Sequence, residues 1–136
     1  MKMNKIKAKI SRIFKKYPQI NTAYLFGSEA KGKARCGSDI DVAVLLREDC
    51  ENRPDYLELK VELERALDKD VDLVILNDAS EVLKHQVRTD GKIIYEIDPE
   101  LTKKWILRSR KMYEDYLHLH RIYMKKLYQQ HGLEDG

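Results

Sequence analysis

Hydrophobic residues near the N-terminus recur at helical spacing: Ile6, Ile10, Ile13 and Phe14, with lysines between them, predict a helix over residues 4–16. Tyr17-Pro18 ends it, because the residue before a proline is pushed away from helical angles. The period then shortens. The apolar run Ala23-Tyr24-Leu25-Phe26 predicts the first strand over residues 21–26. A second run covers residues 39–46 and is continuously apolar after Asp41, as expected of a strand covered on both faces. Between them, Gly27-Ser28 turns the chain, Ser28 to about Lys33 opens a short helix, and residues 31–38 make a basic loop punctuated by Gly32 and Gly37.

The second half repeats the alternation of strand and helix. Residues 54–67 predict a helix with Leu57, Val61, Leu63 and Leu67 as apolar positions and Pro54 near its start. Residues 71–76 predict the third strand. A helix follows over residues 80–88, with Ser80 as cap, Glu81 in the first turn and Gly91 as terminator. Residues 92–97 predict a fourth, shorter strand. Asp98-Pro99 then has the form of a helix start, aspartate at the cap and proline at the first helical position.

In that last segment Trp105, Ser109, Met112, Tyr116, Leu119, Tyr123 and Leu127 recur at steps of three and four. A helix of about 30 residues would be ~45 Å long, more than the expected width of so small a domain. Its stripe reads first as core, and its length adds a partner interface as a second reading. The elements predict a mixed α+β or α/β fold: a small mixed sheet flanked by helices, with a long C-terminal helix. The expected organisation is a core over residues 1–98, the helix over 99–131 as part of the same domain, and a flexible tail over 132–136.

Composition changes this picture little. The chain has 136 residues, and its 26 basic against 23 acidic side chains leave a net charge of only +3, too weak to argue for nucleic acid. No direct nucleic-acid binding is expected. Lys2, Lys5, Lys7, Lys9, Arg12, Lys15 and Lys16 crowd the first helix, where a solvated face is the first reading and a basic docking surface the second. Cys36 and Cys50 lie far apart without metal-binding spacing and read as buried or idle thiols. His85, His118, His120 and His131 form no ligand pattern and read as surface or boundary residues. No apolar h-region and no membrane-length stretch is present in the sequence, so a cytoplasmic location is expected.

The chemistry concentrates in one constellation. Gly27-Ser28 follows the first strand, and a glycine–serine turn offers backbone N–H groups and a hydroxyl to a phosphate. Ten residues later comes Asp39-Ile40-Asp41, whose carboxylates at i and i+2 project from one side of a strand. Asp72 lies near the start of the third strand among core residues and needs a partner there. If the second and third strands are neighbours, the three carboxylates converge and raise one another's pKa unless cations offset them. Mg²⁺ suits such a site because it takes oxygen ligands and shares substrate phosphates. On this reading Asp39, Asp41 and Asp72 hold two metal ions, Gly27 and Ser28 bind the nucleotide phosphates, and Lys31, Lys33 and Arg35 offset charge on a leaving pyrophosphate.

These residues resemble the nucleotidyltransferase superfamily related to DNA polymerase β, whose signature is Gly-Ser, a spacer, Asp-x-Asp and a later Asp. The ten-residue spacer, the small size and Tyr95-Glu96-Ile97-Asp98-Pro99 running into a Tyr-rich helix are most similar to the minimal, MntA-type antitoxins encoded beside HEPN-domain ribonucleases. The resemblance implies a polymerase β-like fold and a Mg²⁺-dependent enzyme that transfers AMP from ATP to a tyrosine of a partner HEPN-domain toxin, neutralising it in a hetero-oligomer. Two alternatives stand beside it: a small-molecule nucleotidyltransferase of the aminoglycoside-modifying kind, and an antitoxin that acts by binding alone.

Overall fold

The computed structural model describes residues 3–27 and 39–132. Four strands make one mixed sheet in the order β3-β2-β1-β4. β1 (Ile20–Phe26) runs antiparallel to both β2 (Ile40–Leu46) and β4 (Lys92–Glu96), and β3 (Val71–Ile75) runs parallel to β2. The strands that the sequence predicts are present, and the sheet is mixed as expected.

Alternation along the strands sends side chains to two cores. On one face, Ile40, Val42 and Val44 of β2 with Val71 and Leu73 of β3 meet α1 (Met3–Phe14) and α2 (Tyr56–Leu67) through Ile6, Ile10, Phe14, Leu59 and Leu63, all fully buried or nearly so. On the other face, Tyr24, Phe26, Ala43 and Leu45 meet α3 (Glu81–Asp90) and α4 (Pro99–His131) through Val87, Leu83, Leu101 and Trp105. The central strands are therefore apolar on both sides, as their sequence pattern requires.

α1, β1, β2 and β4 differ from expectation by one or two residues at an end, and four further departures have a local cause. Pro54 lies ahead of α2; the cap is Asp55, whose side chain accepts from the Glu58 N–H. The third strand stops at Ile75, one residue early, because Leu76–Asp78 makes a turn of 3₁₀ helix. That turn is held by Asn77, whose amide accepts from Leu46 N–H at 2.9 Å and donates to Leu46 O at 3.0 Å. α3 reaches Asp90 before Gly91 ends it. Gly132, expected in the tail, is the left-handed cap of α4 (φ 64°) and donates to Gln129 O. The rest of the expected tail lies outside the described residues.

α4 is joined to the sheet by a buried polar cluster. The Asn21 side chain donates to Thr22 Oγ1, Asp98 O and Thr102 Oγ1 at 2.8, 3.1 and 3.2 Å, and accepts from Asp98 N–H at 3.0 Å. Thr22 and Thr102 share a further bond at 2.7 Å. Asn21 and Thr22 are fully buried, so these groups have only one another as partners in place of water. Asp98, as predicted, caps the helix through Glu100 N–H, with Pro99 in the first turn. The predicted stripe divides: Trp105 and Ser109 pack on the domain, whereas Met112, Tyr116, Leu119 and Tyr123 are exposed. Among the described residues no helix is long and apolar enough to cross a membrane.

Replacing Asn21 by alanine removes the acceptor of Asp98 N–H and all three bonds that the amide donates, although Thr102 keeps its bond to Thr22. It should lower unfolding free energy by about 2–4 kcal/mol in a denaturant titration. A loss below about 1 kcal/mol would show that the cluster does not anchor the helix.

Candidate active site

The parallel register of β2 and β3 pairs Asp41 with Asp72. In a parallel pair, register partners sit on adjacent strands about 4.8 Å apart and point to the same face. Asp39, two residues before Asp41 and just ahead of β2, belongs to the same side. The register is fixed at this end by the Ile40 N–H, which donates to Asp70 O at 2.9 Å, and by the Glu64 carboxylate, which accepts from Val71 N–H at 3.0 Å. The face is the one that α3 and α4 cover, but their cover begins at Ala43 and Leu45, beyond the carboxylates.

The three aspartates differ in exposure. Asp41 is half-buried, while Asp39 and Asp72 are exposed. Asp72 stands among core residues as expected: Val71 and Leu73 on either side are buried, and alternation turns the aspartate itself outward on the edge strand. Burial pushes the Asp41 carboxyl above its ordinary pKa, and the negative charges of Asp72 and Asp39 push it further. The three side chains are therefore near enough to repel, which is the convergence the sequence predicts.

They are not drawn together as ligands. Among the described residues no set of three His, Cys, Asp or Glu side chains stands in metal-holding geometry. Coordination is short-ranged and repulsion is not, so the two observations agree on a loosely spaced cluster. Its donor chemistry fits a hard divalent cation: carboxylate oxygens only, with one of them electrostatically disfavoured as an anion until a positive charge arrives.

Gly27 closes the site from β1. Phe26 pairs with Asp41 across the strands, and the next residue takes a left-handed conformation (φ 73°). A Cβ at this position would run into the Asp41 carboxylate. The glycine is needed twice, for its backbone angle and for the approach of its α-carbon to Asp41. Ser28, Lys31, Lys33 and Arg35, the expected phosphate-binding residues, lie outside the described residues, as do Cys36 and the predicted helix over residues 28–33. Cys50 is free and half-buried.

Sequence reasoning overlooked a second group of polar residues. His85 of α3 stacks on Tyr113 of α4, with ring centres 4.0 Å apart and planes 7° from parallel, and the Arg88 guanidinium lies 5.9 Å from the same ring. The helical spacing of His85 and Arg88 is visible in the sequence, but only the packing of α4 on α3 brings Tyr113 against them.

A mixed sheet that gathers three aspartates on one face, beside a left-handed glycine at the end of the central strand, suits a nucleotidyltransferase. The family model described as polymerase beta, nucleotidyltransferase matches residues 8–100, and the chain belongs to that family. Within it, the chain is 41% identical over 99 residues to the protein adenylyltransferase MntA of Shewanella oneidensis, covering 71% of this chain and 68% of that protein. Among solved structures it resembles a chain of a toxin–antitoxin crystal structure with AMP-PNP, with a TM-score of 0.75 and 32% identity over 89% of this chain and 97% of the other. It also resembles a chain from the complex of tri-AMPylated S. oneidensis HEPN toxin with MNT antitoxin, at a TM-score of 0.70 and 30% identity, covering 90% of this chain and 95% of that one.

The charge cluster has a consequence for stability. The folded pKa of Asp41 is raised above its unfolded value, so its ionised form opposes folding above the folded pKa. That penalty shrinks as pH falls and is absent below the ordinary carboxylate range. Asp41→Asn should therefore melt at a higher temperature than the parent at pH 7 without divalent cations, and the gap should close under acid. A lower melting temperature for the variant at pH 7 would contradict the repulsion.

Proposed function

We propose that this chain is a Mg²⁺-dependent protein adenylyltransferase antitoxin. It moves AMP from ATP to a tyrosine of a partner HEPN-domain ribonuclease and thereby silences it in the cytoplasm. The observation that carries this reading is the in-register pairing of Asp41 with Asp72, with Asp39 on the same side, at an uncovered end of the sheet. The relatives support it: a protein adenylyltransferase by name and a complex with an AMPylated HEPN toxin.

The residues divide the task. Asp39 and Asp41 would hold the cations, which would supply positive charge to the triphosphate, and Asp72 would complete the site on the side open to the acceptor. Bound Mg²⁺ supplies positive charge for the triphosphate and lowers the pKa of the attacking hydroxyl. Gly27 brings the backbone close to the phosphates, Ser28 adds its hydroxyl, and Lys31, Lys33 and Arg35 offset the charge of departing pyrophosphate. The tyrosine oxygen bonds to the α-phosphorus, the bond to the pyrophosphate oxygen breaks, and the phenolic proton is released. Asp72 is exposed on the edge strand, so a tyrosine presented by another protein can reach it. Residues 1–98 carry the chemistry, and the exposed stripe of α4, including Leu119 and Tyr123, supplies a surface for docking the partner.

With ATP and Mg²⁺, the partner should gain mass in whole AMP units, measured on the intact protein. The Asp39→Ala/Asp41→Ala variant should still bind the partner but add none, a loss of at least about a thousandfold in rate. An unmodified partner in a complex that does form would overturn the catalytic claim. Full neutralisation by the double variant would favour an antitoxin that works by binding alone.

A further inference from the structure

A cleft of about 490 Å³ opens between α3 and α4, lined among others by His85, Arg88, Arg110, Tyr113 and Leu117. It lies on the carboxylate-bearing face. The phenol of Tyr24, which Arg88 influences electrostatically, is two residues before Phe26, the strand partner of Asp41.

Two features of the cleft call for a ligand. The first is unbalanced positive charge. Arg88 Nη1 is buried and has no hydrogen-bond partner among the described residues, although Arg88 Nε reaches Lys84 O at 3.4 Å. Burial and the neighbouring Arg110 both lower the Arg88 pKa, while Glu81 partly offsets them. A half-buried guanidinium with one unbonded nitrogen beside a second arginine is favourable for an anion. Glu81 offsets it in part: Oε1 is paired with Lys84 at 2.8 Å, and Oε2 is buried without a hydrogen-bond partner among the described residues. Glu114 lines the cleft, so its acidic character is local and the two guanidinium groups outweigh it.

The second feature is a run of aromatic rings beside the arginines. His85 stacks on Tyr113, Tyr113 lies 6.2 Å from Tyr116 at 25°, and Tyr116 lies 5.8 Å from His120 at 23°. Near-parallel rings next to a phosphate-sized cation pair are the usual means of holding a nucleotide: the base stacks and the phosphate pairs with arginine. A carboxylate-bearing peptide would use the arginines but leave the ring surface idle.

We propose that the α3–α4 cleft is a second nucleotide site that takes a nucleoside 5′-monophosphate, with phosphate on Arg88 and Arg110 and base against the His85–Tyr113 stack. The choice of adenine rests on the proposed AMP transfer; the phosphate-and-base chemistry does not. Two sources could present it: free AMP, or AMP already joined to the partner's tyrosine.

The test is an NMR titration of the full chain with AMP, adenosine and inorganic phosphate, followed at the His85 and Tyr113 ring resonances without divalent cations. AMP should shift both rings, and adenosine or phosphate alone should bind at least about tenfold more weakly. Arg110→Gln, an exposed position, should weaken AMP roughly tenfold with an unchanged melting temperature, and Asp41→Asn should leave the ring shifts intact. AMP shifts confined to the surroundings of Gly27 and Asp41, or an Arg110→Gln variant that binds as the parent does, would overturn the proposal. In a second arm, partner carrying AMP and unmodified partner are added in turn. Shifts of His85 and Tyr113 with only the modified form assign the bound nucleotide as the source, whereas no nucleotide-dependent shift with the modified form, where free AMP does shift both rings, assigns free AMP. Because the titration needs no catalysis, its success alongside absent AMP transfer would separate this site from the proposed reaction.

Discussion

Everything distinctive in this molecule follows from the register between two parallel strands. Pairing Asp41 with Asp72 places like charges side by side where apolar residues would be more stable, and Asp39 adds a third. The rest of β2 and β3 is arranged to enforce that cost. Val42, Val44, Val71 and Leu73 fix the strands against α1 and α2, and a slip of one residue would turn every one of them to the wrong face. The hydrophobic core thus holds an electrostatic conflict in place, and the conflict is what makes the site receptive to cations and phosphates.

Farther along the same face, under α3 and α4, the same logic recurs with the sign reversed. α3 and α4 leave the carboxylate end of the sheet open, and between them they bury a guanidinium without a full complement of anions. The anchoring of α4 through Asn21 and Thr102 makes this arrangement rigid at one end. Beyond Leu117 the helix carries apolar residues such as Leu119, Ile122 and Tyr123 into solvent. One helix therefore packs at its base, lines a polar cleft next, and presents an uncovered surface at its far end.

Much of this was legible in the residues themselves. Strand and helix periods are strong signals where apolar positions are many, so the strands over residues 21–26 and 39–46 and the helix after Asp98-Pro99 follow from the pattern to within a residue at their starts. The carboxylates were legible because Asp39-Ile40-Asp41 and Asp72 interrupt apolar runs that offer them no partners. What stayed hidden depends on distant neighbours. Asn77 ends the third strand by clamping Leu46, Asn21 ties β1 to Thr102, and Asp72 faces solvent because β3 is an edge strand. None of these follows from local composition. Arg88 and His85 are unremarkable in sequence and acquire meaning only when α4 brings Tyr113 and Arg110 against them.

The account stands or falls on whether the three aspartates act as one cation site. The direct measurement is calorimetric titration of Mn²⁺, as a stand-in for Mg²⁺, into the chain with a non-hydrolysable ATP analogue, repeated with Asp41→Asn and Asp72→Asn. The account predicts binding by the parent and a loss of at least about tenfold in affinity for each variant. Unchanged affinity in Asp72→Asn would separate the two strands' carboxylates and contradict it.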